Sequence, residues 1–231
     1  GFRKIFTWSD DLVDEKKYFK INFPQTLKFL DKYEKRKNMF VQISSNKFSK
    51  SRNELYSFRK EIINWYERNK FNFQFYGEGW DFKLNGNRYH DFLIKKLNLN
   101  FFKSNYKNYG GVISKKSDVL NCFIFSYSLE NYSGQKGYIT EKIFDSFKSL
   151  TIPIYKGAIN VSEKIPSNTF INYDDFDNLD ELNYFLINLS EIKINQYVKN
   201  IKNFLKSKNA EQFSIEFFVN QIFNNICTQK I

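Results

Sequence analysis

Met39-Phe40-Val41-Gln42-Ile43 is a short apolar run that ends in Ser44-Ser45-Asn46, the pattern of a buried strand closed by small polar residues. Ser51-Arg52-Asn53-Glu54 then offers a capping-box start, because a hydroxyl and a carboxylate three residues apart can satisfy the free N–H groups of a first helical turn. Leu55, Phe58, Ile62, Ile63 and Trp65 or Tyr66 fall near helical spacing, which predicts a helix reaching about Asn69. Phe71 to Tyr76 alternates like a second strand and stops at Gly77-Glu78-Gly79. Strand, helix and strand in this order predict a right-handed parallel βαβ unit.

Working outward, the pattern repeats downstream. Trp80 to Tyr109 is polar and poorly periodic, a mixture of helix and loop, and Ser117 to Asn121 ends a short helix before the strand Cys122 to Ser126. A loop from Ser128 to Tyr138, a helix from Thr140 to Ser149, the strand Thr151 to Tyr155 and a short strand Asn168 to Ile171 follow. Asn178 to Ser190, Glu191 to Ser207 and Ser214 to Cys227 read as three amphipathic helices. Upstream, Phe2 to Trp8 is a strand end and the stretch to Asn38 a polar connector. The expected fold class is α/β, a Rossmann-like parallel sheet with helices on both faces. Ligands in such sheets sit beyond the carboxyl ends of the strands, here the loops after Ile43, Ser126 and Tyr155.

Composition bounds the function. With 231 residues, 42% of them hydrophobic, the chain can bury a sizeable core, and no run approaches a membrane span. The opening Gly1-Phe2-Arg3, without an initiator Met, reads as a start that lies upstream. A net charge of +11 points first to polyanions. Yet only 6 of the 36 basic residues are Arg, the residue suited to bidentate phosphate and base contacts, while Asn numbers 28, Ile 23 and Ala 2. That skew is one of AT-rich codons, so no nucleic-acid partner is expected. Cys122 and Cys227, far apart in apolar contexts, make neither a disulfide framework nor a metal site, and the single His90 excludes a His-rich zinc centre.

The chemistry-bearing residues lie on the strand-end loops. Asn46 and Arg52 follow the first strand, and Glu130-Asn131 through Glu141-Lys142 follow the third. Gly137-Tyr138-Ile139-Thr140-Glu141-Lys142 runs from loop into helix start, where free N–H groups and the macrodipole attract anions. Arg52 offers a fork of donors and Lys142 a point charge, a pair able to neutralise a diphosphate without a metal. Asp10-Asp11, Asp14 and the Asp174-to-Asp180 stretch read as solvated or helix-capping acids rather than metal ligands.

The segments Phe125 to Ser133, Gly137 to Ile143, Ile152 to Ala158, Ile165-Pro166 and Phe170-Ile171, with Ser45-Asn46, Arg52 and Phe75-Tyr76-Gly77 upstream, resemble the donor-binding motif of the α1,3/4-fucosyltransferases. These are the family-ten inverting glycosyltransferases of GT-B fold. The resemblance implies that residues 39–231 are the nucleotide-sugar donor-binding half and that residues 1–38 are the tail of an N-terminal acceptor domain plus a connector. It implies GDP-fucose as donor substrate, no required cofactor or metal, and transfer of L-fucose with inversion to a hydroxyl of an acceptor glycan, GlcNAc or Glc in α1,3 linkage. Arg52 and Lys142 would hold the diphosphate, with Asn46 beside it. Glu130, Asn131, Tyr138 and Glu141 would contact the fucose and the ribose, Tyr138 packing on the donor. Lys156 stands where the family commonly has Trp and would add positive charge there. The catalytic base is expected outside this chain, in the acceptor domain.

Two alternatives keep the fold and change the activity: transfer from another GDP-sugar, or an inactive basic module that binds nucleotides or polyanions. A glycan on the Asn131 sequon would fill the donor site, so a bacterial or viral cytoplasmic enzyme is expected, with peripheral membrane association through surface lysines.

Overall fold

The computed structural model describes residues 2–36 and 38–227. Its centre is a five-stranded, all-parallel sheet of β3 (Asn38–Ile43), β4 (Phe73–Tyr76), β5 (Phe123–Leu129), β6 (Ile152–Lys156) and β7 (Ile171–Asn172), in the order β4-β3-β5-β6-β7. Two short strands, β1 (Ile5–Thr7) and β2 (Tyr18–Lys20), form a separate parallel pair. The helices are α1 (Tyr56–Asn69), α2 (Arg88–Lys96), α3 (Lys116–Leu120), α4 (Glu141–Lys148), α5 (Val161–Lys164), α6 (Leu179–Ile187), α7 (Glu191–Leu205), α8 (Lys208–Glu211) and α9 (Ile215–Cys227). Among the described residues no helix is long and apolar enough to cross a membrane.

The two faces of β5 show how the sheet is covered. Successive side chains of a strand point to opposite faces. Phe125 and Tyr127 turn toward α1, where the Tyr127 and Tyr66 hydroxyls meet at 3.0 Å and Ile62, Ile63 and Trp65 complete the core. Ser126 and Ser128 turn the other way, and both hydroxyls meet Ser146 of α4, at 2.6 and 2.8 Å. Small serines let α4 approach the sheet closely, while Phe144 and Phe147 pack on Phe213 and Phe204 of the C-terminal segment. Helices therefore lie on both faces.

Several boundaries differ from the sequence reading. β5 runs on through Leu129, because Ser128, which reads as the start of a loop, is a strand position facing α4. The start of α1 is displaced: Leu55 is the cap position, and the Glu54 carboxylate accepts the N–H groups of Tyr56 and Ser57, at 2.6 and 3.1 Å, in place of a box closed by Ser51. Asn168 does not begin a strand, because the Pro166 carbonyl accepts both the N–H and the hydroxyl of Thr169 and closes a 3-10 turn before β7. Cys122 is exposed rather than packed in apolar surroundings, and the Cys227 side chain lies outside the described residues.

The front of the chain is more than a connector. Gln25 donates its N–H to the Phe213 carbonyl at 2.7 Å, and Asn22 reaches the Gln212 carbonyl at 3.1 Å. The Asp14 carboxylate accepts three consecutive N–H groups, from Lys16, Lys17 and Tyr18, and so closes the turn between β1 and β2.

Candidate functional site

The strand order fixes where a ligand can enter. From β3 the chain crosses to β4 on one side, and from β5 it proceeds to β6 and β7 on the other. The loops after β3 and β5 therefore part company, and a crevice opens between them at the carboxyl edge. A cavity of about 470 Å³ occupies that place. Its walls come from Ile43, Ser44 and Ser45 at the end of β3 and just beyond it, Gly77 and Glu78 after β4, Leu129 and Asn131 at the end of β5 and just beyond it, and Glu141, Lys142 and Asp145 of α4. Gly77 lies so close to β3 that a Cβ there would sit 2.2 Å from the Ser44 carbonyl oxygen.

At one end of the cavity the α4 N-terminus is tied down by a buried carboxylate. Glu130, with no exposed surface, accepts from the Thr140 N–H at 2.7 Å, the Thr140 hydroxyl at 2.6 Å and Lys142 Nζ at 3.2 Å. Burial raises the Glu130 pKa, with Lys142 and Thr140 pulling the other way. Because the Thr140 hydroxyl turns to Glu130, it does not cap α4. Burial also works to raise the pKa of Glu141, but Lys142, its own N–H and Lys116 outweigh it and hold it below the ordinary value. Lys116 itself pairs with Asp145 at 2.8 Å.

Arg59 clamps the same loop from the α1 side. It is buried, and its Nη2 donates to the Leu129 and Glu130 carbonyls, both at 2.8 Å, and to Asn131 Oδ1 at 3.1 Å.

The residues singled out in the sequence are brought together only in part. Asn131, Glu141 and Lys142 line the cavity. Glu130 stands beside it but is wholly enclosed by Thr140 and Lys142, so the expected contact of its carboxylate with a sugar has no exposed surface to make it. Asn46 borders a neighbouring depression with Lys60 and Phe82, and its side chain donates to the Gly79 carbonyl at 2.9 Å. Arg52 is exposed in the turn before α1 and lies outside the cavity lining; that turn is bonded to the Asn131 loop through Leu55 N–H to Asn131 O and Ser133 N–H to Asn53 O, both at 2.9 Å. Tyr138 is half-buried among aromatic rings rather than in the lining. Lys156 pairs with Asp174 and lies over the Tyr173 ring, so its charge is turned away from the cavity lining.

Three cations of the cavity wall are not legible as site residues in the sequence: Arg59, Lys47 and Lys116. The available signal for Arg59 was a single Arg on a helix face otherwise made of Leu55, Ile62, Ile63 and Tyr66, where only a cation with internal partners is tolerated. Among the described residues no group of three or more His, Cys, Asp or Glu side chains is placed to hold a metal.

The model of glycosyltransferase family 10 (fucosyltransferase), C-terminal part, matches residues 33–229. The chain belongs to this family. The α-(1,3)-fucosyltransferase FucT of Helicobacter pylori is 41% identical over 69 residues, which cover 30% of this chain and 14% of that protein. The α-(1,4)-fucosyltransferase of Arabidopsis thaliana is 32% identical over 82 residues, covering 34% and 20%. The crystal structure of an α1,3-fucosyltransferase with GDP superposes with a TM-score of 0.52 at 22% identity, over 85% of this chain and 49% of that one. This family-10 chain thus spans about half the length of the solved enzyme it resembles.

Proposed function

We propose that this chain is the donor-binding half of a GT-B fucosyltransferase and that its cavity holds GDP-fucose. The observation that carries this reading is the cavity at the β3/β5 switch point, bordered by the uncapped α4 N-terminus and by Lys47 and Lys142. A nucleoside diphosphate needs such a place, where anionic oxygens meet free N–H groups and cations together. Membership of family 10 supports fucose as the sugar.

In this reading the acceptor glycan, GlcNAc or Glc, presents a hydroxyl to fucose C1 from the face opposite the diphosphate. The C1–O bond to GDP breaks as the new bond forms, through an oxocarbenium-like transition state, with inversion in an α1,3 linkage. A general base in the acceptor-binding half takes the hydroxyl proton. Negative charge grows on the leaving diphosphate, and Lys142, Arg52 and the first N–H groups of α4 stabilise it there without a metal. Asn131, on the loop that Arg59 holds, lies where it can meet the sugar.

Calorimetric titration tests the reading. Intact protein is expected to bind GDP saturably, and Lys142→Ala to weaken that binding by about 10- to 100-fold while the circular dichroism spectrum stays native. Absence of GDP binding by the intact protein overturns the proposal. A preference for GDP-fucose over GDP-mannose is expected in the same titration, and the reverse order would reassign the sugar.

A further inference from the structure

The turn that carries Tyr138 is held from both sides. On its far side Thr140 is fixed to Glu130. On its near side the Gly137 N–H donates to Asn160 Oδ1 at 2.9 Å, and Asn160 Nδ2 donates to Asp10 Oδ2 at 2.9 Å and to Glu163 Oε2 at 3.2 Å. These partners settle the orientation of the Asn160 amide, since an N–H donor requires its oxygen and a carboxylate requires its nitrogen. Asp10 Oδ1 in turn meets Lys20 Nζ at 2.6 Å, and the Asp10 N–H donates to the Lys136 carbonyl at 3.3 Å. The front segment also supplies Trp8, whose ring centroid lies 4.8 Å from that of Tyr138, and Phe23, at 6.0 Å. The fit leaves no slack: a Cβ on Gly137, which has φ +80°, would sit 2.4 Å from the Trp8 carbonyl oxygen.

We propose that Asp10, acting through Asn160, is a positioning residue that fixes the Gly137–Tyr138 turn so that Tyr138 can pack against the donor sugar. The inference rests on the reading of the cavity as a nucleotide-sugar site and deepens it. Neither Asp10 nor Tyr138 belongs to the cavity lining, but the turn that carries Tyr138 leads directly into Glu141 and Lys142, which do, so a donor whose sugar extends past α4 would meet it. The polyanionic end of the donor meets α4 and its cations, so its binding does not depend on where the Tyr138 ring lies. Only the sugar senses the lock. Asp10, the first acid of a turn that reads as solvated in the sequence, thereby acquires a role in the selectivity of the site.

An exchange of side chains tests this. In a Glu163→Gln background, which removes the second carboxylate facing Asn160 Nδ2, Asn160→Asp keeps an oxygen for the Gly137 N–H but sets two carboxylates against each other, and adding Asp10→Asn to it, the double variant Asp10→Asn/Asn160→Asp, restores one donor facing one acceptor. GDP and GDP-fucose are titrated into each protein, with the melting temperature recorded. Relative to the Glu163→Gln parent, Asn160→Asp is expected to lower affinity for GDP-fucose by about tenfold and for GDP by less than about twofold, and the double variant to recover GDP-fucose binding to within about threefold of that parent. Unchanged GDP-fucose binding in Asn160→Asp overturns the inference. So does parallel loss of both ligands with the melting temperature, which marks a purely structural contact, or a double variant no better than the single. Wild-type protein that binds neither ligand overturns the nucleotide-sugar reading itself, an outcome distinct from these. Faster hydrogen exchange of the Gly137 amide in Asn160→Ala than in wild type is expected without any ligand, and equal exchange would refute the lock.

Discussion

The loop after β5 and the loop after β3 border the same cavity, yet the first is closed by buried polar bonds and the second lies open. In the β5 loop, Glu130, Thr140 and Lys142 bond to one another, and Arg59 holds two carbonyls and Asn131 from below. In the β3 loop, Lys47, Phe48 and the stretch from Lys50 to Asn53 are exposed. The contrast separates two uses of a cation. Arg59 has carbonyl partners within the protein and orders the backbone that a ligand would meet. Arg52 is exposed on the surface and can turn toward a ligand with little lost. Preorganisation resides in the β5 loop and adaptability in the β3 loop.

Arg59→Ala breaks the comparison most severely. It leaves the Leu129 and Glu130 carbonyls and Asn131 Oδ1 without their shared donor in a buried place, and a loss of about 3–4 kcal/mol is expected in urea denaturation. Arg59→Lys should rescue little, since the Lys side chain is one bond shorter and its ammonium stops short of the place where Nη2 meets all three acceptors. Native stability in Arg59→Ala would show that the β5 loop orders itself without the clamp.

The same contrast explains what the sequence could and could not disclose. β3, α1 and β4 are legible because Met39 to Ile43 is apolar apart from Gln42 and Ile62, Ile63 and Tyr66 keep helical spacing. The end of β5 is hidden because Ser128 carries a loop signature while serving, with Ser126, as the close-packed face against Ser146. Lys142 and Glu141 are legible as site residues because they stand at a helix start. Arg59 is not, because a buried cation is defined by carbonyls distant in sequence. Glu130 misleads for the same reason: a carboxylate next to Asn131 looks available, and only the fold reveals Thr140 closing over it. The contacts of Asp10 with Lys20, Asn160 and the Lys136 loop are equally non-local, and although β1 falls within the strand end read at Phe2 to Trp8, β2, at three residues, is too short to announce itself.

Arg52→Ala sharpens the comparison from the open side. Removing an exposed side chain should leave the urea midpoint within about 0.5 kcal/mol of wild type, while GDP affinity, measured by calorimetry, falls about tenfold. Stability and binding then separate cleanly between two arginines seven positions apart on the chain. Unchanged GDP affinity would confine the diphosphate to the α4 side of the cavity, and reduced stability would show that the β3 turn depends on more than its backbone bonds to Asn131 and Ser133.

The smallest effect is a difference in pH slope between the two carboxylates that hold the Thr140 and Gly137 ends of one turn. Glu130 is wholly buried, and burial raises its pKa above the ordinary 4.5 despite Lys142. A carboxyl that holds its proton more tightly when folded confers full stability below 4.5 and loses it as pH climbs through the raised value. Asp10 is the reverse: burial works to raise its pKa, but Lys20 and Asn160 outweigh it and hold it below 3.8. Its contribution is present above 3.8 and disappears as pH falls through the lowered value. Denaturation curves across this range should therefore show the stability of wild type relative to Glu130→Gln declining as pH rises above 4.5, and that of wild type relative to Asp10→Asn declining as pH falls below 3.8. If wild type instead gained on Glu130→Gln with rising pH, the Lys142 ion pair would outweigh burial. The β5 loop would then hold its charge as an ordinary ion pair does, and Lys142 would be the less free to turn toward a diphosphate.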